Sequence, residues 1–77
     1  MKIRLHYPAP MHIDTIKNGS TLEVNDSTTV GGFLQDLQLK KEHIRYILVY
    51  VNGERKGMSY MLSENDELKL YLPVGGG

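Results

Sequence analysis

One short segment of the chain has the apolar spacing of an amphipathic helix, and the segments on both sides of it alternate as β-strands do. Val30, Phe33, Leu34 and Leu37 occur at positions i, i+3, i+4 and i+7, which places them along one face of a helix. The polar residues 26–29 just before them provide candidate helix N-caps. A chain of 77 residues has room for one core, so this helix is expected to pack on a single sheet in an α+β fold.

Alternating apolar and polar residues predict the first, second and last strands of that sheet, and a β-branched and aromatic run predicts the third. The predicted strands lie at residues 2–7, 21–24, 47–51, 54–58 and 67–72, the fourth being a short edge strand. Asn52 and Gly53 predict a tight hairpin turn after the third strand. The expected order is therefore two strands, the helix and three further strands, which together form one domain over residues 1–72.

The same alternation predicts which side chains of the last strand face the core. Leu68, Leu70 and Leu72 are expected to point inward, and Lys69 and Tyr71 outward. A shift of register by one residue would exchange the two faces, so this assignment is open to a direct structural check.

Further predictions concern the connecting segments. The pair Gly31-Gly32 is expected to be a point of close packing at the start of the helix. Met58 and Met61 are expected to fill the core. Residues 40–42 are expected to form a solvated turn, and residues 63–66 a polar turn before the last strand.

The composition argues against several classes of function. Nine basic and nine acidic residues give a formal net charge of zero, whereas a nucleic-acid-binding domain needs an excess of cations. The chain has no cysteine for disulfides or zinc, and His6, His12 and His43 are too scattered to predict a metal site. No apolar run approaches the ~18–20 residues of a transmembrane helix, and residues 1–6 lack the apolar stretch of a signal peptide, so we expect a cytoplasmic protein.

The end of the chain, Pro73-Val74-Gly75-Gly76-Gly77, points most directly to function. Terminal glycines add no packing and lose the most backbone entropy on ordering, so stability does not explain them. One interpretation is a disordered end or an expression artefact. The other is a flexible tail over residues 73–77 that threads a narrow channel in a partner protein, where the absence of side chains allows close approach.

The order of elements and the tail together make the chain resemble the sulfur carriers of the ThiS and MoaD type, which are ubiquitin-like proteins. The resemblance spans the whole chain. Its most specific points are Thr29-Val30-Gly31, Val51-Asn52-Gly53, Asn65-Asp66-Glu67 and Tyr71-Leu72-Pro73-Val74-Gly75-Gly76-Gly77.

The tail is similar to those of both branches of this family. Molybdopterin-type carriers commonly end in an aromatic residue, two prolines, valine, a small residue and Gly-Gly. This chain keeps that pattern, except that Leu72 replaces the first proline. Thiazole-type carriers often end in Val-Gly-Gly-Gly, which the chain also matches.

The resemblance implies a ubiquitin-like β-grasp fold, in which a mixed sheet of four to five strands packs on one main helix. It also implies a carrier rather than an enzyme, with no catalytic residue and no bound cofactor of its own. The C-terminal Gly77 would be adenylated by a ubiquitin-activating-type enzyme that uses ATP and magnesium, and a persulfide protein would then supply sulfur. Gly76, Gly75, Val74 and Pro73 would form the slender tail.

The thiocarboxylate formed at Gly77 would donate sulfur in cofactor biosynthesis. The acceptor site would lie on a molybdopterin-synthase large subunit, of which the chain would be the non-catalytic small subunit, or on thiazole synthase. The sequence favours the molybdopterin branch slightly, because of Tyr71, Pro73 and Val74. Two other classes remain open: a ubiquitin-like modifier joined through Gly77 to lysines of other proteins, and a β-grasp interaction module.

A partner-binding surface is also expected from the resemblance, since the last strand of a β-grasp sheet lies between the first and the third. Tyr71, Tyr50 and Leu48 would then share the solvent-facing side of the sheet with Lys69 and Arg4. Exposed apolar clusters usually mark interfaces. The alternative is that these residues form ordinary cross-strand pairs.

Overall fold

The computed structural model describes residues 1–8, 16–37, 39 and 41–72, with the backbone alone described for residues 41–43. Its elements, in chain order, are β1 (Lys2–His6), β2 (Thr21–Glu23), α1 (Val30–Asp36), α2 (Lys41–Tyr46), β3 (Leu48–Val51), β4 (Glu54–Lys56) and β5 (Glu67–Tyr71). The five strands and the main helix α1 confirm the predicted order of elements, with strand ends that differ by one or two residues.

The strands form one sheet in the order β2-β1-β5-β3-β4. β1 pairs with β5 in parallel, while the β1–β2, β3–β5 and β3–β4 pairs are antiparallel, so the sheet is mixed. The last strand of the chain is therefore the central strand. This is the β-grasp arrangement that the resemblance implied, with α1 packed on one face of the sheet.

Helix α1 begins where the sequence predicted an N-cap. Thr29 has extended backbone angles, and its hydroxyl oxygen accepts a 3.1 Å hydrogen bond from the backbone N–H of Gly32. The apolar face is buried at Val30, Phe33 and Leu34. These side chains cover the inner face of the sheet, where the core residues of the strands are Ile3, Leu5, Val49, Val51, Leu68 and Leu70.

The second helix was not predicted. Lys41–Tyr46 is helical, whereas residues 40–42 were expected to form a turn; residue 40 lies outside the described residues. Six residues are fewer than two helical turns, so no apolar stripe can repeat within them. Local periodicity is therefore a poor indicator of this element.

The prediction that Met58 and Met61 fill the core is wrong. Met58 is 38% exposed and Met61 is 50% exposed. The segment around them pairs with the start of α1 through backbone hydrogen bonds, in which the N–H of Gly31 donates to the carbonyl of Met58 over 2.9 Å. Of this segment, Leu62 is the residue that enters the core.

The predicted close packing at Gly31 is confirmed. A Cβ atom added there would lie 3.3 Å from both the Cβ and the carbonyl oxygen of Met58. The absence of a side chain at Gly31 lets the connector lie directly against the start of the helix.

Two turns anchor the sheet. Asn52 and Gly53, with φ of 52° and 86°, form the tight β3–β4 turn that the sequence predicted. The predicted polar turn before the last strand is present, and within it Asp66 is only 5% exposed. Its carboxylate accepts hydrogen bonds from the Asn52 side-chain amide (2.8 Å) and the Ser63 backbone N–H (2.8 Å), with the Tyr60 hydroxyl at 3.3 Å.

Candidate partner-binding face

The face of the sheet opposite α1 carries the outward side chains of the central strand β5. Leu68 and Leu70 are buried, while Lys69 is exposed and Tyr71 is 46% exposed. Leu72, just past the strand, is half-buried and packs against the core. The predicted register of β5 is therefore confirmed.

Tyr71 lies against side chains of the neighbouring strand β3. In the antiparallel β3–β5 pair, Leu48 is opposite Tyr71, and Tyr50 is opposite Lys69. The rings of Tyr50 and Tyr71 meet edge to face, with their centroids 5.3 Å apart and their planes at 86°. Leu48, Tyr50 and Tyr71 thus form one continuous apolar surface, which we call the tyrosine patch.

Cationic side chains border the tyrosine patch, but not all of the predicted ones lie close to it. Lys69 is directly opposite Tyr50. Arg4 is on the same face, but it is paired with Glu67 at the start of β5. Tyr71 is four positions further along the strand, a distance of about 13 Å, so Arg4 does not border the patch.

Arg55 is a bordering cation that sequence reasoning missed. It lies on β4 directly opposite Tyr50, and it is exposed. The sequence does contain a signal for Arg55. A two-residue turn at Asn52-Gly53 pairs the second residue before the turn, Tyr50, with the second residue after it, Arg55.

The side of this face toward β1 is more polar. His6 pairs with Lys69 in the parallel β1–β5 ladder. The Nε2 atom of His6 lies 3.4 Å from the carboxylate of Glu67. Charged and polar groups therefore surround the apolar patch on the β1 side, while Arg55 borders it on the β4 side.

The predicted tail residues Pro73, Val74, Gly75, Gly76 and Gly77 lie outside the described residues. The strand that leads to them ends at Tyr71. The chain thus leaves the sheet at the tyrosine patch. The roles assigned to these five residues stay predictions.

Within the described part of the chain, no group of three or more His, Cys, Asp or Glu side chains is arranged to hold a metal ion. None of the helices in that part is long and apolar enough to cross a membrane. The use of ATP and magnesium by an activating partner stays a prediction.

Comparison with known proteins relates the chain to one family. The model of the ThiS family matches residues 10–77. No curated protein sequence matches the chain significantly.

Solved structures that share the fold include the following three. Two are crystal structures of small archaeal modifier protein 1 from Haloferax volcanii. One is 22% identical with a TM-score of 0.68 and full coverage of both chains. The other is 21% identical with a TM-score of 0.71, covering 95% of this chain and 98% of that one. A chain in the complex of subunits 1 and 2 of the molybdopterin-converting factor from Helicobacter pylori is 20% identical, with a TM-score of 0.66 and full coverage of both chains. With the family match extending through the glycine tail, the chain belongs to the ThiS family of ubiquitin-like β-grasp proteins.

Proposed function

We propose that this protein is a sulfur carrier whose C-terminal Gly77 is adenylated and then converted to a thiocarboxylate. The observation that carries the proposal is the ThiS family match, which includes the terminal glycines and ends at residue 77. The protein acts as a covalent cosubstrate and not as an enzyme. Its working compartment is the cytoplasm.

The chemistry follows from the terminal carboxylate. Such a group has an unperturbed pKa near ~3.5, so at neutral pH it is an anion and a poor electrophile. A partner of the ubiquitin-activating type, with ATP and magnesium, joins it to AMP and releases pyrophosphate. A persulfide sulfur of a donor protein then attacks the acyl carbon and AMP leaves. This forms an acyl disulfide, and a thiol must cleave its S–S bond to release the thiocarboxylate.

The tyrosine patch is the proposed docking surface for these partners. It combines exposed aromatic area with Arg55, the kind of composition found where proteins associate. Lys69 adds a second cation opposite Tyr50. Gly77 is the sixth residue after Tyr71, and an extended chain of that length reaches about 20 Å. A partner that binds the patch can therefore hold Gly77 in an active site that lies up to this distance from Tyr71.

The sulfur acceptor is proposed to be a molybdopterin intermediate, with thiazole as the alternative. Tyr71, Pro73 and Val74 match the molybdopterin-type tail, and the similar Helicobacter pylori chain comes from a complex of two subunits of the molybdopterin-converting factor. These two features support a synthase large subunit as the final partner. If the sulfur acceptor is instead a thiazole precursor, the final partner is thiazole synthase.

A second candidate function is covalent modification of proteins. It is favoured by the similarity to the two Haloferax volcanii structures, which are described as modifier proteins. In that case the same acyl-adenylate at Gly77 is passed to a lysine amine and ends as a stable amide.

The two candidates differ in the final state of Gly77, and intact-mass measurement separates them. The protein is purified after co-expression with its activating enzyme and a persulfide donor. A carrier shows a mass increase equal to the exchange of one oxygen for sulfur, and a chain lacking Gly77 does not. Conjugates joined through Gly77 to lysines, without any thiocarboxylate form, would contradict the carrier function and support the modifier.

A further inference from the structure

The outer edge of β2 is open along the described part of the chain. β2 is an edge strand. On either side of it, the N–H of Val24 donates to the Met1 carbonyl over 2.9 Å, and the Ser20 carbonyl accepts from the Leu5 N–H over 3.1 Å. Because the groups of an antiparallel strand alternate in direction, the backbone N–H and C=O groups of Thr21 and Glu23 point away from β1. No described backbone group bonds to them. Such an edge is a template for an added strand.

A groove of about 310 Å³ lies beside this edge, between β2 and α1. Apolar side chains from both elements line it: Ile16, Leu22, Val24, Phe33 and Leu37. Four of them are only half-buried, which leaves apolar surface accessible in the groove. An extended peptide paired with β2 would direct every second side chain into this groove.

The charges around the groove are acidic. Asp36 lines it, and no described lysine or arginine does. Glu23 also borders it, but it pairs with Lys2 in the β1–β2 ladder, and its side chain is on the opposite face of the sheet. Asp26, on the turn that follows β2, has a side chain that is 91% exposed and lies 3.7 Å from the N-terminal amine. Asp36 is in the last turn of α1, where the helix dipole disfavours an anion, so helix stability does not account for it.

We propose that the β2 edge and this groove bind an extended peptide that adds a strand to the sheet. The bound segment has alternating apolar residues facing the groove and lysine or arginine at its ends. Backbone pairing supplies affinity, and the apolar floor and acidic rim supply specificity. The open backbone edge at Thr21 and Glu23, the apolar floor and the exposed acids Asp26 and Asp36 together point to this partner.

This site is separate from the tyrosine patch. The groove is on the helix side of the sheet, whereas the patch is on the opposite face. β1 also lies between β2 and β5. A bound peptide would leave Tyr71 free, so the inference does not depend on the proposed sulfur-carrier function.

The test uses the full chain labelled with ¹⁵N and the capped peptide acetyl-Lys-Val-Ile-Val-Ile-Lys-amide as the probe. We expect saturable shifts of the Thr21 and Glu23 amides and of α1, with a Kd below about 1 mM. A peptide with proline in place of the second valine lacks one backbone N–H donor for strand pairing, and it should bind much more weakly. A peptide with glutamate ends should also bind less.

Charge reversal of the rim gives a matched pair of variants. Asp36→Lys should weaken probe binding about threefold or more at low salt, with a smaller effect at high salt. It should also raise the thermal midpoint, because it puts a cation at the helix C-terminus. Weaker binding by a more stable protein cannot be ascribed to unfolding. Glu54→Lys, at the opposite edge of the sheet, should leave binding unchanged.

Three results would overturn the proposal. One is the absence of shifts at Thr21 and Glu23 at peptide concentrations of about 1 mM. Another is equal binding of the lysine-ended and glutamate-ended peptides. The third is shifts of the same amides with protein concentration in the free protein, which would assign the edge to a second copy of this chain.

Discussion

The side-chain amide of Asn52 donates a 2.8 Å hydrogen bond to the buried carboxylate of Asp66. The side-chain oxygen of Asn52 accepts a 3.0 Å bond from the backbone N–H of Glu67, and the backbone N–H of Asn52 donates to the Glu67 carbonyl over 2.9 Å. The β3–β4 turn is thereby tied to the start of β5. These bonds hold the central strand in the register that places Tyr71 outward.

Asp66→Ala tests this connection. The substitution removes the hydrogen bonds that the Asn52 amide and the Ser63 N–H donate to the buried carboxylate, and a hydrogen bond to a charged group contributes about 1.5–3 kcal/mol. We expect a loss of about 2–4 kcal/mol in the free energy of unfolding, measured by urea denaturation. The control Glu54→Ala, which removes an exposed carboxylate, should change stability by less than about 0.5 kcal/mol. Equal effects of the two substitutions would contradict a structural role for Asp66.

Gly31→Ala tests the close contact with Met58. In an open helix, alanine is more stable than glycine by about 1 kcal/mol. Here the new Cβ lies 3.3 Å from a backbone carbonyl that is itself bonded to the Gly31 N–H and cannot easily move. We expect Gly31→Ala to lower the thermal midpoint.

Gly32→Ala is the matched comparison, since its added Cβ would approach only the Thr29 hydroxyl, also at 3.3 Å. It should be at least as stable as the natural protein. A Gly31→Ala variant more stable than Gly32→Ala would show that the Met58 contact does not limit this position.

Tyr71→Ala and Leu70→Ala separate binding from stability. Leu70 is buried, so its truncation should cost about 2–5 kcal/mol. Tyr71→Ala removes an exposed ring and its contact with Tyr50, and it should cost less than about 2 kcal/mol. Calorimetric titration with the activating enzyme should nevertheless show weaker binding of Tyr71→Ala. Unchanged affinity would remove the tyrosine patch from the proposed docking surface.

Arg55→Glu tests the cation that the structure adds to this surface. Reversal of its charge beside Tyr50 should weaken binding of the activating enzyme, mainly through a slower association rate that depends on salt. The comparison variant is Arg45→Glu, an exposed position on α2. If both variants associate at the same rate, the effect of Arg55 is one of net charge and not of its place beside the patch.

Deletion of Gly76 and Gly77 tests the tail. The described core contains neither residue, so the thermal midpoint should stay within about 1 °C of the natural protein. ATP–pyrophosphate exchange catalysed by the activating enzyme should be lost. Retained exchange would mean that the C-terminal glycine is not the group adenylated.

Much of the fold could be predicted from local pattern. Alternation placed Leu68 and Leu70 in the core and Tyr71 outside, because successive side chains of a strand point to opposite faces. The Asn52-Gly53 turn was predictable because both residues tolerate positive φ. These features depend on neighbours in sequence.

Other features depend on contacts between distant segments, and only the tertiary structure decided them. The burial of Asp66 requires donors from Asn52 and Ser63, and the exposure of Met58 follows from backbone pairing with the start of α1. Arg4 lies on the predicted face but away from the patch, because the parallel register pairs it with Glu67. Periodicity assigns a side chain to a face, whereas the hydrogen-bonded register between strands sets its neighbours there.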